Sequence, residues 1–270
     1  MSLSASPSLH YLGNYTRKIP VNLNRMIENA YDWEHLPFVH PSSFVSIELV
    51  DQGEWGWRCK TTLPPAAGGG KQLVELLVDR PNHYWATTVL SGTGEGVQIH
   101  TQARAKSERE IVVDVRFYLP QAPQTDDQAA IIFGYLKAQY TTLYDEDAAL
   151  MSARQAALDL RNAGRNFAPR SLDLGPEAAL DRDATHAVGL ESGQFVVRHH
   201  EGQWIAHAAM CPHMLGPLGE AFIDPHGIIT CPWHGYRFSI ESGDEQQSRC
   251  GALSKAPRLQ IVEGHLFIGD

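Results

Sequence analysis

Two short runs near the end of the 270-residue chain carry metal-binding side chains: Cys211-Pro212-His213 and Cys231-Pro232-Trp233-His234-Gly235. Each run offers one thiol and one imidazole. Zinc modules set two cysteines before two histidines, or four cysteines in two knuckles. The order here is Cys, His, Cys, His, with unequal inner spacings, which disfavours zinc. A [2Fe–2S] cluster held by two thiolates on one iron and two imidazoles on the other needs this set, and neutral imidazole raises its potential. Pro212 and Pro232 stiffen the loops, while Gly216, Gly219 and Gly235 allow tight turns and close approach to sulfur.

A second donor set lies near the front, in Asn29-x-x-Asp32-x-x-His35-x-x-x-x-His40. Asp32 and His35 are three apart and share a helix face. His35 and His40 are about 140° apart on an ideal helix, so they converge only if the helix stops between them. Pro37 is expected to stop it, and Pro41 biases His40 toward extended backbone. Two His and one carboxylate form the facial triad of non-haem Fe(II) oxygenases, with positions left open for O₂. Of Asp145, Glu146 and Asp147, only Asp147 has apolar helix neighbours at three and four residues (Leu143, Tyr144, Leu150, Met151). Its buried carboxylate needs a cation. Asp145 and Glu146 read as solvated. Taken separately, two His at a helix end are more often structural, and an acidic run is more often a wet face.

The elements that must position these residues emerge from the patterning. Residues 1–10 read as loose, Tyr15–Val21 as a strand, and Asn22 or Asn24 caps a helix to about His35 with Leu23, Met26, Ile27, Ala30 and Trp33 as its apolar stripe. Strands are predicted at Phe44–Val50, Gly56–Leu63, Gln72–Asp79, Tyr84–Leu90, Val97–Ala105 and Ile111–Tyr118. Gly92-Thr93-Gly94-Glu95-Gly96 lacks the spacing of a nucleotide loop and reads as a hairpin turn. A long helix spans Asp126 to about Arg161. The order matches an α+β helix-grip (START-like) domain, an antiparallel sheet wrapping a long last helix. After a Gly/Pro/Ser/Asn-containing join, short strands from Ala187 to Asp270 predict a small all-β domain. The expected division is 1–163 for a helix-grip domain bearing the mononuclear iron, 164–183 for a linker and 184–270 for the cluster domain.

Hydrophobic content of 43% and charged content of 20% are those of a globular chain with a real core. The net charge of −9 argues against binding nucleic acid through phosphate neutralisation. No apolar run reaches the length of a membrane span and no signal peptide is evident, so a cytoplasmic protein with reduced thiols is expected. Of the four cysteines, Cys59 and Cys250 remain outside the cluster set and read as buried free thiols. His83, His100, His186, His199, His200, His207, His226 and His265 read as structural or surface residues.

The two loops closely resemble the Rieske motif Cys-x-His … Cys-x-x-His. Gly216 and Trp233 stand where the respiratory branch has an extra disulfide, so the resemblance is to the ferredoxin and oxygenase branch. The whole chain resembles Rieske non-haem iron oxygenases, whose catalytic domain bears Asn-x-x-Asp-x-x-His-x-x-x-x-His and a later Glu-Asp pair. Asn29, Asp32, His35, His40 and Glu146-Asp147 match in order. The family usually places its Rieske domain first; here it comes last. The resemblance implies Cys211, His213, Cys231 and His234 on a [2Fe–2S] cluster and His35, His40 and Asp147 on Fe(II). It makes Asp32 a bridging carboxylate between His35 and a cluster histidine, His213 or His234, across the interface of a homotrimer.

The same resemblance implies an oxygenase component that uses O₂ to hydroxylate or demethylate a hydrophobic or aromatic small molecule. The Glu-Asp pattern is closer to the monooxygenases than to the ring dioxygenases. No NAD or flavin fingerprint is present, so a separate NAD(P)H-dependent reductase, and a ferredoxin, would supply electrons. Trp85, Phe117 and Tyr118 are the expected pocket wall. The competing reading is a Rieske ferredoxin-like electron carrier fused to a helix-grip ligand-binding module without catalytic iron.

Overall fold

Period-two alternation places one side chain in two on the inner face of a sheet, and the first half of the chain obeys it. Residues 9–163 and 168–269 are described by the computed structural model. The chain forms two compact units, one ending at Ser152 and one beginning at Ala153. In the first unit β1 (His10–Ile19) is followed by α1 (Leu23–Tyr31) and the short α2 (Leu36–Val39). Then come β2 (Ser46–Gly53), β3 (Gly56–Thr62), β4 (Lys71–Asp79), β5 (Tyr84–Gly92), β6 (Gln98–Ser107), β7 (Glu110–Leu119) and α3 (Asp126–Asn162), whose residues from Ala153 on belong to the second unit. The seven strands form one antiparallel sheet in the order β1-β7-β6-β5-β4-β3-β2. The chain therefore crosses from one sheet edge to the other through α1 and α2, which is how the front donor set reaches the inner face. This is a helix-grip architecture.

Particular contacts explain the elements. Asn22 caps α1 by accepting the Arg25 N–H at 2.9 Å, and Met26, Ile27 and Ala30 are buried. Trp57 of β3 is buried, and its Nε1–H donates to the Ala30 carbonyl at 2.9 Å, tying helix to sheet. Phe133 of α3 packs so close to Gly13 that a Cβ there would lie 2.7 Å from its ring. Phe117 is buried with its ring centroid 6.0 Å from Phe133 and 5.3 Å from Tyr140. Burying aromatic rings of this size contributes about 2–3 kcal/mol each. The Gly92–Gly96 stretch is the expected hairpin turn. Gly92 has φ 91°, and a Cβ on it would meet the Lys71 carbonyl oxygen at 2.1 Å.

Two expectations at the front need correcting. β1 begins at His10, so residue 10 belongs to a strand, while residues 1–8 of the stretch read as loose lie outside the described residues. The helix read as running to His35 stops at Tyr31 with Asp32 as its C-cap. Pro37 does not end a helix; it sits in the first turn of α2, where proline's fixed φ and missing N–H are tolerated.

In the second unit β8 (Ser171–Pro176) is followed by β9 (Thr185–Leu190), β10 (Gly193–His200) and β11 (Gln203–Ala208). After these come β12 (Ile228–Thr230), β13 (Arg237–Ser239), β14 (Arg258–Val262) and β15 (His265–Gly269). They pair as β11-β10-β9, β12-β13 and β14-β15-β8. Val188, Leu190, Phe195, Val197, Leu266 and Ile268 form the core, drawn from two of these sheets. The stretch 164–183 is not simply a linker. Its residues 164–167 lie outside the described residues, but β8 pairs with β15, and Leu174 packs on the core. The Gly175-Pro176 turn signal, which forms the end of β8 itself, concealed the strand.

Candidate metal centres

The two cysteine loops share one backbone scheme. The Cys211 N–H donates to the Gly216 carbonyl at 2.8 Å, and the Cys211 carbonyl accepts the Leu215 N–H at 2.9 Å. Twenty residues on, the Cys231 N–H donates to the Tyr236 carbonyl at 2.8 Å, and the Cys231 carbonyl accepts the Gly235 N–H at 3.0 Å. The residue that closes each ring is left-handed, with φ 60° at Leu215 and 64° at Gly235. Gly235 adopts that conformation freely and Leu215 does so under strain. Each ring carries one thiol and one imidazole.

Cys211, Cys231 and His234 are buried, and the four cysteines form no disulfide. The rings of His213 and His234 lie 4.7 Å apart. Gly216 leaves a cradle, since a Cβ there would stand 2.8 Å from Cys231 Sγ and 3.1 Å from the Trp233 ring. Gly219, by contrast, has no neighbour to such a Cβ closer than 3.9 Å and no left-handed backbone, so its expected role is absent. The hydrogen bond between the two thiols pulls Cys231 down to about 5, helped by His234, and pushes Cys211 up. Two buried sulfurs beside two imidazoles fit an iron–sulfur cluster.

Sequence reasoning missed the residues behind His213. Tyr236 stacks on its ring at 4.5 Å and 23°, and the Arg249 guanidinium lies 3.8 Å over Tyr236. Glu245 orders that arginine's loop by accepting the backbone N–H groups of Gln247 at 2.9 Å and Arg249 at 2.7 Å. Of the two remaining thiols, Cys59 is buried and pushed up to about 12 by burial, whereas Cys250 is only half-buried.

The front set converges on α3. His35, His40 and Asp147 are buried and offer three donor atoms within 4.8 Å of one another. His40 Nε2 lies 3.0 Å, and His35 Nε2 3.4 Å, from the same Asp147 oxygen, Oδ1. The convergence does not come from a helical His followed by an extended one. His35 is helical at the entrance to α2 and His40 closes it with ψ 53°, its N–H donating to the Leu36 carbonyl, so one tight turn sets both rings.

Each imidazole turns its other nitrogen to a second carboxylate. His40 Nδ1 is 2.7 Å from Glu146 Oε2, and His35 Nδ1 is 3.4 Å from Asp32 Oδ2. Glu146, read from its neighbours as solvated, is therefore a partner of the site, its side chain 30% exposed. Only its adjacency to Asp147 in the Glu-Asp pair hinted at this. Asp145 is 62% exposed and pairs with Arg17, as expected of a solvated residue.

Neither nitrogen of buried His35 has a hydrogen-bond partner. Burial pulls its imidazole down, but Asp147 and Asp32 raise it to about 10. Burial works to raise Asp147, yet His35 and His40 hold it far below the usual carboxylate range. Without metal the triad is thus a charged cluster, and the donor set suits a divalent cation. In metal-stripped protein, the His35 imidazolium contributes stability that is complete below pH 6.5 and lost as pH rises toward 10. We expect the denaturant midpoint to fall across that window and the fall to flatten in His35→Gln. Parallel curves for the two proteins would remove the charge from His35.

A cavity of about 130 Å³ adjoins the triad, lined chiefly by Met26, Asn29, Trp57, Leu76, Trp85 and Tyr144. Trp85 is there as expected. Phe117 and Tyr118 are not: Phe117 is packed against Phe133 and Tyr140, and the Tyr118 ring lies tilted against those of Tyr11 and His100. Strand alternation sends Tyr118 to the opposite sheet face from Phe117.

Residues 171–257 match the family model for the Rieske [2Fe-2S] domain. This part of the chain is a Rieske domain. Such a domain implies a [2Fe–2S] cluster and electron transfer. The ferredoxin component of the alkene monooxygenase system of Xanthobacter autotrophicus is 31% identical over 70 residues, 26% of this chain and 57% of that protein. The chloroplastic pheophorbide a oxygenase of Oryza sativa is 46% identical over 37 residues, 14% of this chain and 7% of that protein. The chain thus spans about half of one relative's length and a small part of the other's. A solved START superfamily protein from Mycobacterium smegmatis is similar at 10% identity and TM-score 0.45, over 52% of this chain and 99% of that one. Among the described residues, no helix is long and apolar enough to cross a membrane.

Proposed function

We propose that the protein is the oxygenase component of a Rieske-type system, hydroxylating or demethylating a hydrophobic or aromatic small molecule, with monooxygenation favoured. One observation carries this reading: His35, His40 and Asp147 meet at the wall of an apolar cavity, in a chain that also carries a Rieske domain. An electron carrier has no use for that triad. Fe(II) on it would supply open positions for O₂ and one electron, and a cluster on Cys211, His213, Cys231 and His234 would supply another.

The chain's own residues then have defined tasks. Glu146 and Asp32 face the Nδ1 atoms of His40 and His35, which turns both Nε2 atoms toward Asp147. Trp57, Trp85 and Tyr144 keep the cavity apolar. We assign the iron chemistry to residues 1–163 and electron entry to the Rieske domain. A separate NAD(P)H-dependent reductase, with or without a ferredoxin, serves as donor in the cytoplasm, and the working form is a homotrimer.

The experiment that tests the reading is an iron and sulfide assay. A ratio of about 3:2 supports the oxygenase. A second reading, an electron carrier fused to a ligand-binding module, draws on the ferredoxin similarity and requires a ratio of about 1:1. Asp32 touches the far side of His35 from Asp147. Asp32→Asn is therefore expected to keep both metals while lowering product formed per electron consumed. A yield equal to that of the parent protein would show Asp32 to be a bystander.

A further inference from the structure

The cavity beside the triad restricts what can enter more tightly than "hydrophobic or aromatic" does. Its volume is about 130 Å³. An apolar protein cavity of roughly 150 Å³ accommodates benzene, so the space here suits about one six-membered ring. Fused rings exceed it. The wall between Met26, Trp57, Leu76 and Trp85 is apolar and aromatic, which favours a flat, weakly hydrated body.

Away from the triad and Asp32, Asn29 breaks that pattern with an unpartnered polar atom. Asn29 is more than nine-tenths buried, lines the cavity, and its Oδ1 has no hydrogen-bond partner. A buried acceptor left unsatisfied is costly, and a ligand donor that meets it recovers the loss. Sites built around such a group reject analogues that lack the matching hydrogen. Thr61, another polar wall residue, already donates its hydroxyl toward Gln72 at 3.4 Å, and Thr87 is not among the buried atoms left without a partner. The donor-seeking point of the cavity is therefore Asn29, at the end of α1 just before Asp32.

We infer that the cavity takes a molecule of single-ring size carrying one hydroxyl or amino donor, the class of phenol and aniline, oriented by Asn29. Which bond of that molecule reacts rests on the oxygenase reading; the binding itself does not.

Binding can be measured by titration calorimetry on full-length protein stripped of the mononuclear iron, with phenol, toluene and 2-naphthol as probes. Phenol is expected to bind and 2-naphthol not to. Asn29→Leu should raise the phenol Kd at least tenfold while leaving the toluene Kd within threefold. Leu76→Ala, which removes three carbons from the wall, should admit 2-naphthol and also shows that the fold tolerates change there. The inference is overturned if 2-naphthol binds the parent protein as well as phenol does, or if Asn29→Leu leaves the phenol Kd unchanged. Phenol binding by these rules, with no O₂ consumed once iron is restored, keeps this inference and removes the oxygenase reading alone.

Discussion

His35→Ala protein is expected to keep the visible absorption of its [2Fe–2S] cluster and to form no product. His35 belongs to the first unit, and the four cluster residues lie in the second, so losing one imidazole removes nothing from the cluster loops. At the triad the loss is severe. Outer-shell changes around a metal cost roughly 10–100-fold in affinity, and removal of a ligand costs more. It also strips Asp147 of one of the two imidazoles that hold its buried carboxylate ionised. On the proposed reading, iron should fall from about three atoms to about two for every two sulfides. The measurement pairs that assay with single-turnover product analysis of reduced protein. Product at the parental rate would separate the triad from the chemistry.

Gly216→Ala is expected to abolish the cluster and, on the proposed reading, to spare iron at the triad, the opposite pattern. An added Cβ would stand 2.8 Å from Cys231 Sγ and within 3.2 Å of the Trp233 ring. Carbon and sulfur do not pack that closely, so either the thiolate or the loop must move. Cluster geometry tolerates little movement, because four donors must meet two irons. Gly219→Ala is the matched control, its added carbon meeting nothing nearer than 3.9 Å. We expect the visible spectrum and acid-labile sulfide to be lost in the first variant and kept in the second. Equal cluster content in both would mean that the cradle has no role.

Much of this was legible in the chain. Cys-x-His and Cys-x-x-His are local patterns, and local patterns set local backbone, so the cluster loops were readable without a fold. Strand alternation and the Asn22 cap were readable for the same reason. What failed depended on distant packing. Glu146 looked wet from its helix neighbours, because nothing in α3 reveals that the turn at His40 approaches it. The helix break after Tyr31 lacked the usual proline or glycine signal, and Pro37 pointed to the wrong side of His35. Phe117 and Tyr118 are adjacent in a strand and so face opposite ways, a distinction that only the position of the cavity settles.

The matched cysteine loops carry one more implication. The backbone ring around Cys211 uses only residues 211–216, and that around Cys231 only residues 231–236. Each half of the nest is therefore self-contained, and the length of chain joining the halves is not among the things that shape it. The turn at Pro225 and His226 is exposed. A peptide graft or a reporter spliced there would disturb the Asp224 bonds to His226 and Ile228 but none within either backbone ring, so we expect the domain to keep its colour when labelled at that turn.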